Sequence, residues 1–227
     1  MCDWSIKKLF GDPYIISKLA KETLPIYEAY TVQEIRDSFV LDEINIWDIA
    51  VDQDQVLKLN SEDKSKEEGT IYYDVLTILR RPDLGTTGFF LNIEGQKELD
   101  PGYDLINRAI YYSARLLSRQ KNRIWKHSVY DQLMKVISLW ICYDPSKSYP
   151  SKMFRVHLNC DMDVGTLDLE EDIFDKMEII MIQIGEDAHE QDNKILSFLE
   201  NLLSTRLTPQ EKVKMFKTEY HIEDNEL

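Results

Sequence analysis

Two carboxylates and one amide stand out because each lies in an apolar stretch that has the pattern of a β-strand. Asp74 interrupts the arm over 71–79, and Glu94 and Gln96 lie in the arm over 89–96. Both arms are rich in aromatic and β-branched residues, which favour strands. Side chains alternate between the two faces of a strand at about 3.3 Å per residue, so Glu94 and Gln96 share one face, roughly 6.6 Å apart.

The chemistry of these side chains depends on how the two arms pair. The connecting segment over 80–88 has the length and composition of a longer hairpin loop, which predicts antiparallel neighbours. If the register places Asp74 on the face of Glu94, three oxygen-bearing side chains meet beside one sheet. Such a group suits a hard cation. Two acids holding a divalent ion can lower the pKa of a bound water molecule and make it a nucleophile. A neutral amide such as Gln96 is no base, but it can orient that water by hydrogen bonding.

A basic surface follows directly in the sequence. The segment over 105–130 contains six Lys and Arg residues and no acid, in a chain whose net charge is −14. A helix is predicted over 104–120, with Arg108, Arg115 and Arg119 on one stripe. We expect these arginines to contact DNA phosphates, although a solvated face of an amphipathic helix is the alternative. The predicted core face contains Ile106, Ala109, Ile110, Ser113 and Leu117.

The remaining segments have patterns that supply a sheet and its covering helices. A nearly continuous apolar run over 135–142 predicts a central strand that is buried on both faces. Apolar residues recur at helical spacing over 5–40, and a Gly-Asp-Pro sequence at 11–13 interrupts that pattern. Further strands are predicted over 154–158 and 178–184, and two final helices over 192–203 and 208–220.

Length and composition indicate a globular protein. The chain has 227 residues, of which 43% are hydrophobic, and this is enough to bury a core. We divide it into an N-terminal helical region over 1–60, a core over 61–186 and a helical tail over 187–227, which we expect to form one compact domain.

Cellular location and partners are predicted from the lack of membrane-spanning and signal sequences, from the cysteines and from the net charge. No apolar run approaches the length that crosses a bilayer, and the N-terminus has no signal-peptide core. The three cysteines (Cys2, Cys142 and Cys160) are scattered, which favours reduced thiols in a cytoplasm. We therefore expect a cytoplasmic protein without a membrane partner. The net negative charge disfavours nonspecific binding of nucleic acid over the whole surface, so DNA contact needs the local basic surface.

Several motifs follow one another in the central part of the chain. They are Asp74, Asn-Ile-Glu-Gly-Gln at 92–96, Pro-Gly-Tyr at 101–103, Arg-Ala-Ile-Tyr-Tyr-Ser-Ala-Arg-Leu-Leu-Ser at 108–118 and Lys-Val-Ile-Ser-Leu-Trp-Ile-Cys at 135–142. In these motifs the chain resembles the PD-(D/E)XK nuclease family transposases, prokaryotic relatives of the recombination-promoting nucleases. Its ends are similar as well, through Lys-Leu-Phe-Gly-Asp at 8–12 and the segment 202–212.

The resemblance implies a fold, a metal and an activity. The implied fold is α/β and restriction-endonuclease-like, a mixed sheet with an αβββαβ core, flanking helices and a helical C-terminal tail. Asp74 and Glu94 would bind Mg²⁺ or Mn²⁺ together with the backbone carbonyl of Gly95. Gln96 stands where the family name has Lys, a substitution that many members share. The implied function is a metal-dependent DNA endonuclease that acts in transposition or recombination.

Three alternatives stay open at the level of the sequence. A catalytically weakened module that binds nucleic acid or protein is the second hypothesis, because Gln96 lacks the charge of a lysine. A third carboxylate often completes sites of this superfamily, and Glu22 and Glu28 are both candidates. Glu34 is better explained by a capping box with Thr31. The oligomeric state is undetermined, and a homodimer is one of the options.

Overall fold

The computed structural model of the protein describes residues 3–40, 62–65, 69–83, 88–121, 130–144, 148–190 and 192–220. The helices are α1 (Asp3–Phe10), α2 (Pro13–Thr23), α3 (Val32–Ser38), α4 (Leu105–Arg119), α5 (Glu171–Phe174), α6 (Lys194–Leu203) and α7 (Pro209–Glu219). The strands are β1 (Glu62–Ser65), β2 (Gly69–Tyr72), β3 (Val75–Arg80), β4 (Gly88–Gln96), β5 (Val136–Cys142), β6 (Lys152–His157) and β7 (Met177–Gln183).

Five strands form a mixed sheet in the order β3-β4-β5-β7-β6. β3 pairs with β4 antiparallel, β4 with β5 and β5 with β7 parallel, and β7 with β6 antiparallel. β1 and β2 form a separate antiparallel pair. The chain is therefore an α/β protein with a mixed sheet, as predicted, and the two arms that carry the acids are neighbours.

The central strand was predicted correctly. β5 is the third of the five strands and is buried at every position. An apolar run of this length has no polar alternation because helices cover both of its faces.

The first predicted arm is divided in the structure. The segment over 71–79 was expected to be one strand, but β2 ends at Tyr72 and β3 begins at Val75. Asp74 lies in the bend between them and accepts a hydrogen bond from the backbone N–H of Gly95. Aspartate is disfavoured inside strands because its carboxylate competes for backbone N–H groups, and here that competition coincides with the break.

One layer of helices packs on the face that carries the odd-numbered residues of β4. Leu91 and Ile93 belong to the same buried cluster as Leu19 of α2 and Phe198 of α6. Burying a side chain of this size contributes about 1.5–3 kcal/mol. This cluster holds the N-terminal helices and the C-terminal helices on the same side of the sheet.

α4 covers the opposite face. It joins β4 to the parallel strand β5, a connection that requires a crossover element such as a helix. Leu105 and Ala109 of α4 pack against Trp140 of β5 and Met181 of β7. The first turn of α4 is thereby brought to the end of the sheet where β4 finishes.

The boundaries of the flanking helices follow local signals. Asp12 caps α2 by accepting hydrogen bonds from the N–H groups of Tyr14 and Ile15, and Thr208 caps α7 in a capping box. None of the helices in the described ranges is both long and apolar enough to cross a membrane. The boundary placed between residues 60 and 61 lies outside the described residues.

Candidate metal centre at the end of β4

The structure brings Asp74 and Glu94 together. The register of β3 and β4 pairs Val75 with Ile93, so Asp74 and Glu94 are opposite one another just beyond the last pair. The backbone N–H of Asp74 lies 3.3 Å from Oε1 of Glu94, and the N–H of Gly95 lies 3.0 Å from Oδ2 of Asp74. The two carboxylates are thus side by side where β4 ends, and we call them the acid pair.

Gln96 is the last residue of β4, two positions after Glu94. Strand alternation places it on the same face as Glu94, and its side chain is half-buried. Its register partner is Cys142, the last residue of β5. The carboxyl ends of adjacent parallel strands are a common place for ligand sites in α/β proteins, and the acid pair with Gln96 lies at such an end.

Glu94 is the more deeply buried member of the acid pair. It is 1% exposed, whereas Asp74 is 9% exposed. Burial raises the pKa of Glu94 well above its ordinary value, and repulsion from Asp74 raises it further, against smaller opposing effects from the Asp74 amide and Arg108. A buried carboxyl beside a second carboxyl either keeps its proton or binds a cation. Without a bound cation, the raised pKa therefore favours the protonated form of Glu94.

A layer of buried polar groups lies next to Glu94 on the α4 side of the sheet. Asn92 donates from Nδ2 to Oγ of Ser138 at 3.0 Å, and Trp140 donates from Nε1 to the same oxygen at 2.8 Å. A hydrogen bond with Asn92 also lowers the pKa of Glu94. Oδ1 of Asn92 is buried and has no hydrogen-bond partner among the described residues. This layer therefore contains an amide oxygen, two residues before Glu94 in β4, that accepts no hydrogen bond from the described residues.

Lys7 of α1 is the charged residue that sequence reasoning missed. Its Nζ lies 3.1 Å from Oδ1 of Asp74, and its side chain is 22% exposed. The contact joins residues that are 67 positions apart in the sequence, and a helical pattern says nothing about which strand the helix will cover. The resemblance of the segment 8–12 indicated this end of the chain but did not single out Lys7.

Gly95 allows α1 to approach the acid pair. A Cβ atom at this position would lie 2.6 Å from Cγ2 of Ile6 and 3.3 Å from Cε2 of Phe10, so a side chain would collide with the helix. Glycine inside a strand often marks such a close approach. The contact of Gly95 with Asp74 is made by its N–H, and its predicted role as a carbonyl ligand of the metal stays a prediction.

Arg108 belongs to the surroundings of the acid pair. Its guanidinium donates to the hydroxyls of Tyr103 at 2.9 Å and Tyr112 at 3.1 Å. It also lies over the rings of Tyr112 and Trp140, 4.9 Å and 5.5 Å from their centroids. Its charge lowers the pKa of Glu94. Arg108 therefore acts on the buried acid while two tyrosines and one tryptophan fix its position.

The prediction that the arginine stripe of α4 points away from the core is wrong. Arg115 is only 8% exposed and donates to the hydroxyl of Tyr111 at 3.1 Å, and Arg119 is half-buried. Leu105 and Leu116 of α4 are buried. Three residues of the expected core face are only half-buried: Ile106, Ile110 and Leu117. The prediction assigned every arginine of the helix to solvent because it is charged. Arginine can nevertheless bury the apolar part of its side chain and stack its guanidinium on aromatic rings.

The N-terminal glutamates are not brought to the acid pair in any contact of the described residues. Glu22 accepts from Nζ of Lys18 at 2.7 Å, and Glu28 is exposed. Glu34 forms the predicted capping box with Thr31. A third carboxylate from this region is therefore not assigned.

A second group of possible metal ligands lies at the other end of the sheet. The ligand atoms of His157, Glu171 and Asp175 are within 4.8 Å of one another, beside a cavity of about 560 Å³. Asp175 already accepts from Nζ of Lys135 at 2.6 Å and from the N–H of Leu158 at 3.2 Å. His157 and Glu171 are exposed, and Lys135 also bridges to Glu178 at 2.9 Å, so we interpret this group as part of an ion-pair network.

Comparison with known proteins adds no relative to this picture. No protein-family model, no curated protein and no solved structure matches the chain. The resemblance to the PD-(D/E)XK transposases therefore stays an expectation carried by the motifs.

The raised pKa of Glu94 predicts a pH dependence of stability in metal-free buffer. A folded-state pKa above the unfolded value stabilises the fold fully below the unfolded pKa, and this contribution is lost as pH rises through the folded pKa. We therefore expect Glu94→Gln to gain in free energy of unfolding relative to the wild type as pH rises above the ordinary Glu range. Urea unfolding at a series of pH values with a chelator measures this difference.

Glu34→Gln is the control for that series. Hydrogen bonds from Thr31 lower the pKa of Glu34, so its contribution is present above the unfolded pKa and is lost as pH falls. The two variants should differ from the wild type with opposite pH trends. A difference for Glu94→Gln that does not change with pH would contradict a buried, protonatable Glu94.

The close approach at Gly95 predicts a coupled pair of substitutions. Gly95→Ala should lower the free energy of unfolding by about 1–3 kcal/mol, as is typical of overpacking, because its methyl group meets Ile6. In an Ile6→Ala background the same substitution should cost less, since the colliding atom is gone. Denaturant unfolding of the four proteins measures the coupling. Equal costs in both backgrounds would show that α1 does not pack over Gly95.

Proposed function

We propose that the protein is a metal-dependent DNA endonuclease with a restriction-endonuclease-like core, of the kind found in the transposases that it resembles. The observation that carries this proposal is the acid pair at the end of β4, in which the pKa of buried Glu94 is raised by burial and by Asp74. A site with this electrostatics gains most from a bound divalent cation. DNA phosphodiesters are the proposed substrate.

The arrangement of elements supports such a core. Glu94 lies in β4 and Asp74 lies directly before β3, the antiparallel neighbour of β4. α4 follows as a crossover, and β5 returns parallel to β4. A helical region precedes this unit, as αβββαβ requires. An αβββαβ core has one more strand before β3. In the described residues no strand pairs with the free edge of β3, and only an isolated bridge joins Val40 to Leu79 there.

The donor set fits a hard divalent ion. Asp74 and Glu94 offer carboxylate oxygens, Asn92 offers a buried oxygen without a hydrogen-bond partner in the described part of the chain, and the proposed carbonyl of Gly95 adds another. Oxygen ligands of this kind suit Mg²⁺ and Mn²⁺. The charges fit as well, because two carboxylates share the end of the strand.

The residues of the chain have separate roles in the proposed reaction. When bound, a divalent ion lowers the pKa of a water molecule and offsets phosphate charge. Asp74 and Glu94 hold the ion, and Gln96 orients water through its amide without supplying charge. Arg108, fixed by its tyrosine partners, offers positive charge beside the acid pair for a phosphate oxygen.

A binding module without cleavage is the second candidate, and Gln96 is the observation that favours it. A neutral amide cannot replace the positive charge or the proton transfer of a lysine. In this alternative the acid pair still binds a cation and the nucleic acid is held but not cut. The cleavage experiment separates the two candidates.

Cleavage of plasmid DNA with Mg²⁺ or Mn²⁺ tests the proposal. Asp74→Ala and Glu94→Ala should abolish cleavage, because each leaves the ion with too few ligands. Gln96→Ala should slow cleavage by about tenfold to thousandfold, as losing one orienting group does, and Gln96→Lys should raise the rate. Asp168→Ala removes an exposed carboxylate elsewhere and is the matched control.

Two results would overturn the endonuclease. Cleavage by the Asp74 and Glu94 variants at the wild-type rate would place the activity elsewhere or in a contaminant. The absence of cleavage of DNA or RNA with any metal, together with retained DNA binding, would favour the binding module.

Salt dependence of binding tests the contribution of α4 to DNA affinity. Replacing Arg108 with Ala should flatten the slope of log affinity against log salt by about one unit for one lost phosphate contact, whereas guanidinium nitrogens of Arg115 and Arg119 are buried, so replacing these two should leave the slope unchanged. Fluorescence anisotropy in the Asp74→Ala background with a chelator measures binding without cleavage. Arg36→Ala, on α3, is the control, and an unchanged slope in the Arg108 variant would exclude Arg108 from the DNA interface.

A further inference from the structure

Both carboxylate oxygens of Asp74 are engaged within the protein. Oδ2 accepts the N–H of Gly95 at 3.0 Å, and Oδ1 lies 3.1 Å from Nζ of Lys7. The backbone bond is fixed by the fold, whereas the lysine bond can be exchanged. A cation that binds Asp74 therefore competes with the ammonium group of Lys7 for Oδ1.

We infer that Lys7 is the exchangeable cation of this site and supplies the positive charge that Gln96 lacks. In the metal-free protein Lys7 neutralises Asp74. When the acid pair takes up a divalent ion, Lys7 releases Oδ1 and becomes available to a phosphate oxygen of the nucleic acid. This inference rests on the proposed endonuclease function and adds a residue to it.

The packing of α1 makes this exchange feasible. Ile6 and Phe10 fix the helix over Gly95, so the backbone of Lys7 stays in place whatever its ammonium group contacts. The side chain is partly exposed, and lysine is a point charge with three rotatable donors on a flexible four-carbon stem. The ammonium group can move by a few ångströms while the helix remains packed.

The other cations near Gln96 are less suited to this role. Arg108 is fixed by the hydroxyls of Tyr103 and Tyr112 and by stacking on two rings, so it cannot follow a change of partner. Lys97 is adjacent to Gln96 in sequence, but it is exposed and lies in a bend beyond the end of β4. Lys7 alone among these three contacts a member of the acid pair directly.

Two effects with opposite signs follow for Lys7→Met. Metal binding should become tighter, by about threefold to tenfold, because the competing ammonium and its repulsion of the ion are gone. Cleavage at saturating metal should become slower, by about tenfold to thousandfold, as for the loss of one electrostatic group. If Lys7 only held Asp74 in place, Lys7→Met should instead bind the metal more weakly, because the carboxylate of Asp74 would be held less firmly.

Calorimetric titration of the metal-free protein with Mn²⁺ measures the first effect without relying on activity. Lys8→Met is the matched control, since Lys8 is the exposed neighbour on the same helix, and it should bind Mn²⁺ like the wild type. Lys7→Arg keeps the charge and should also stay close to the wild type. Circular dichroism of each variant checks that the helices are retained.

The outcomes separate the inference from the proposed function. Wild-type protein that binds no Mn²⁺ would overturn the metal centre itself. Wild-type protein that binds Mn²⁺, with equal or weaker binding by Lys7→Met, would overturn the role of Lys7 and leave the metal centre intact. Tighter binding by Lys7→Met but not by Lys8→Met supports it.

A rescue variant tests the second effect. If Lys7 supplies the charge that Gln96 lacks, adding Gln96→Lys to Lys7→Met should restore much of the lost cleavage rate, by about tenfold or more. The acceleration from Gln96→Lys should be smaller in the presence of Lys7. Equal effects of Gln96→Lys in both backgrounds would contradict a shared role.

Discussion

The arrangement of this site depends on two buried carboxylates, Asp74 and Glu94, that meet where β4 ends. Taking a charge out of water is costly unless it is paired, protonated or bound to a cation. Glu94 is almost completely buried, and its pKa is raised. The surrounding elements each supply something to this pair: α1 brings Lys7, and α4 brings Arg108.

The sequence predicted the elements that are set by local patterns. Apolar runs and alternation identified both hairpin strands and the central strand β5, because burial on one or both faces leaves a signature within a few residues. The helix cap at Thr31 was equally visible, since the capping side chain is close in sequence to the N–H group that it binds. Whether Asp74 lies opposite Glu94 depends on the register of the two strands. The sequence pattern did not determine that register, and the structure shows it.

Features that depend on long-range packing were missed. Lys7 reaches Asp74 because α1 is seated over Gly95, and nothing in the local sequence of the helix specifies that contact. The rotation of α4 was misjudged for a different reason, since arginine was assigned to water when Arg108 stacks on Tyr112 and Trp140. Polarity alone places a side chain poorly when it has both a long apolar stem and a charged end.

Two helices bring cations to the acid pair, Lys7 from α1 and Arg108 from α4. In the proposed site these charges explain why position 96 can be a neutral glutamine. A lysine at that position would share a strand face with Glu94 and would add a third cation beside Lys7 and Arg108. Fixed and exchangeable charges differ in what they do for a site: Arg108 stabilises an ionised Glu94 at all times, whereas Lys7 must exchange its partner if Oδ1 of Asp74 is to bind an ion. The proposed chemistry thus relies on charges from two helices on opposite faces of the sheet, and the strand itself needs only oxygen ligands and an amide.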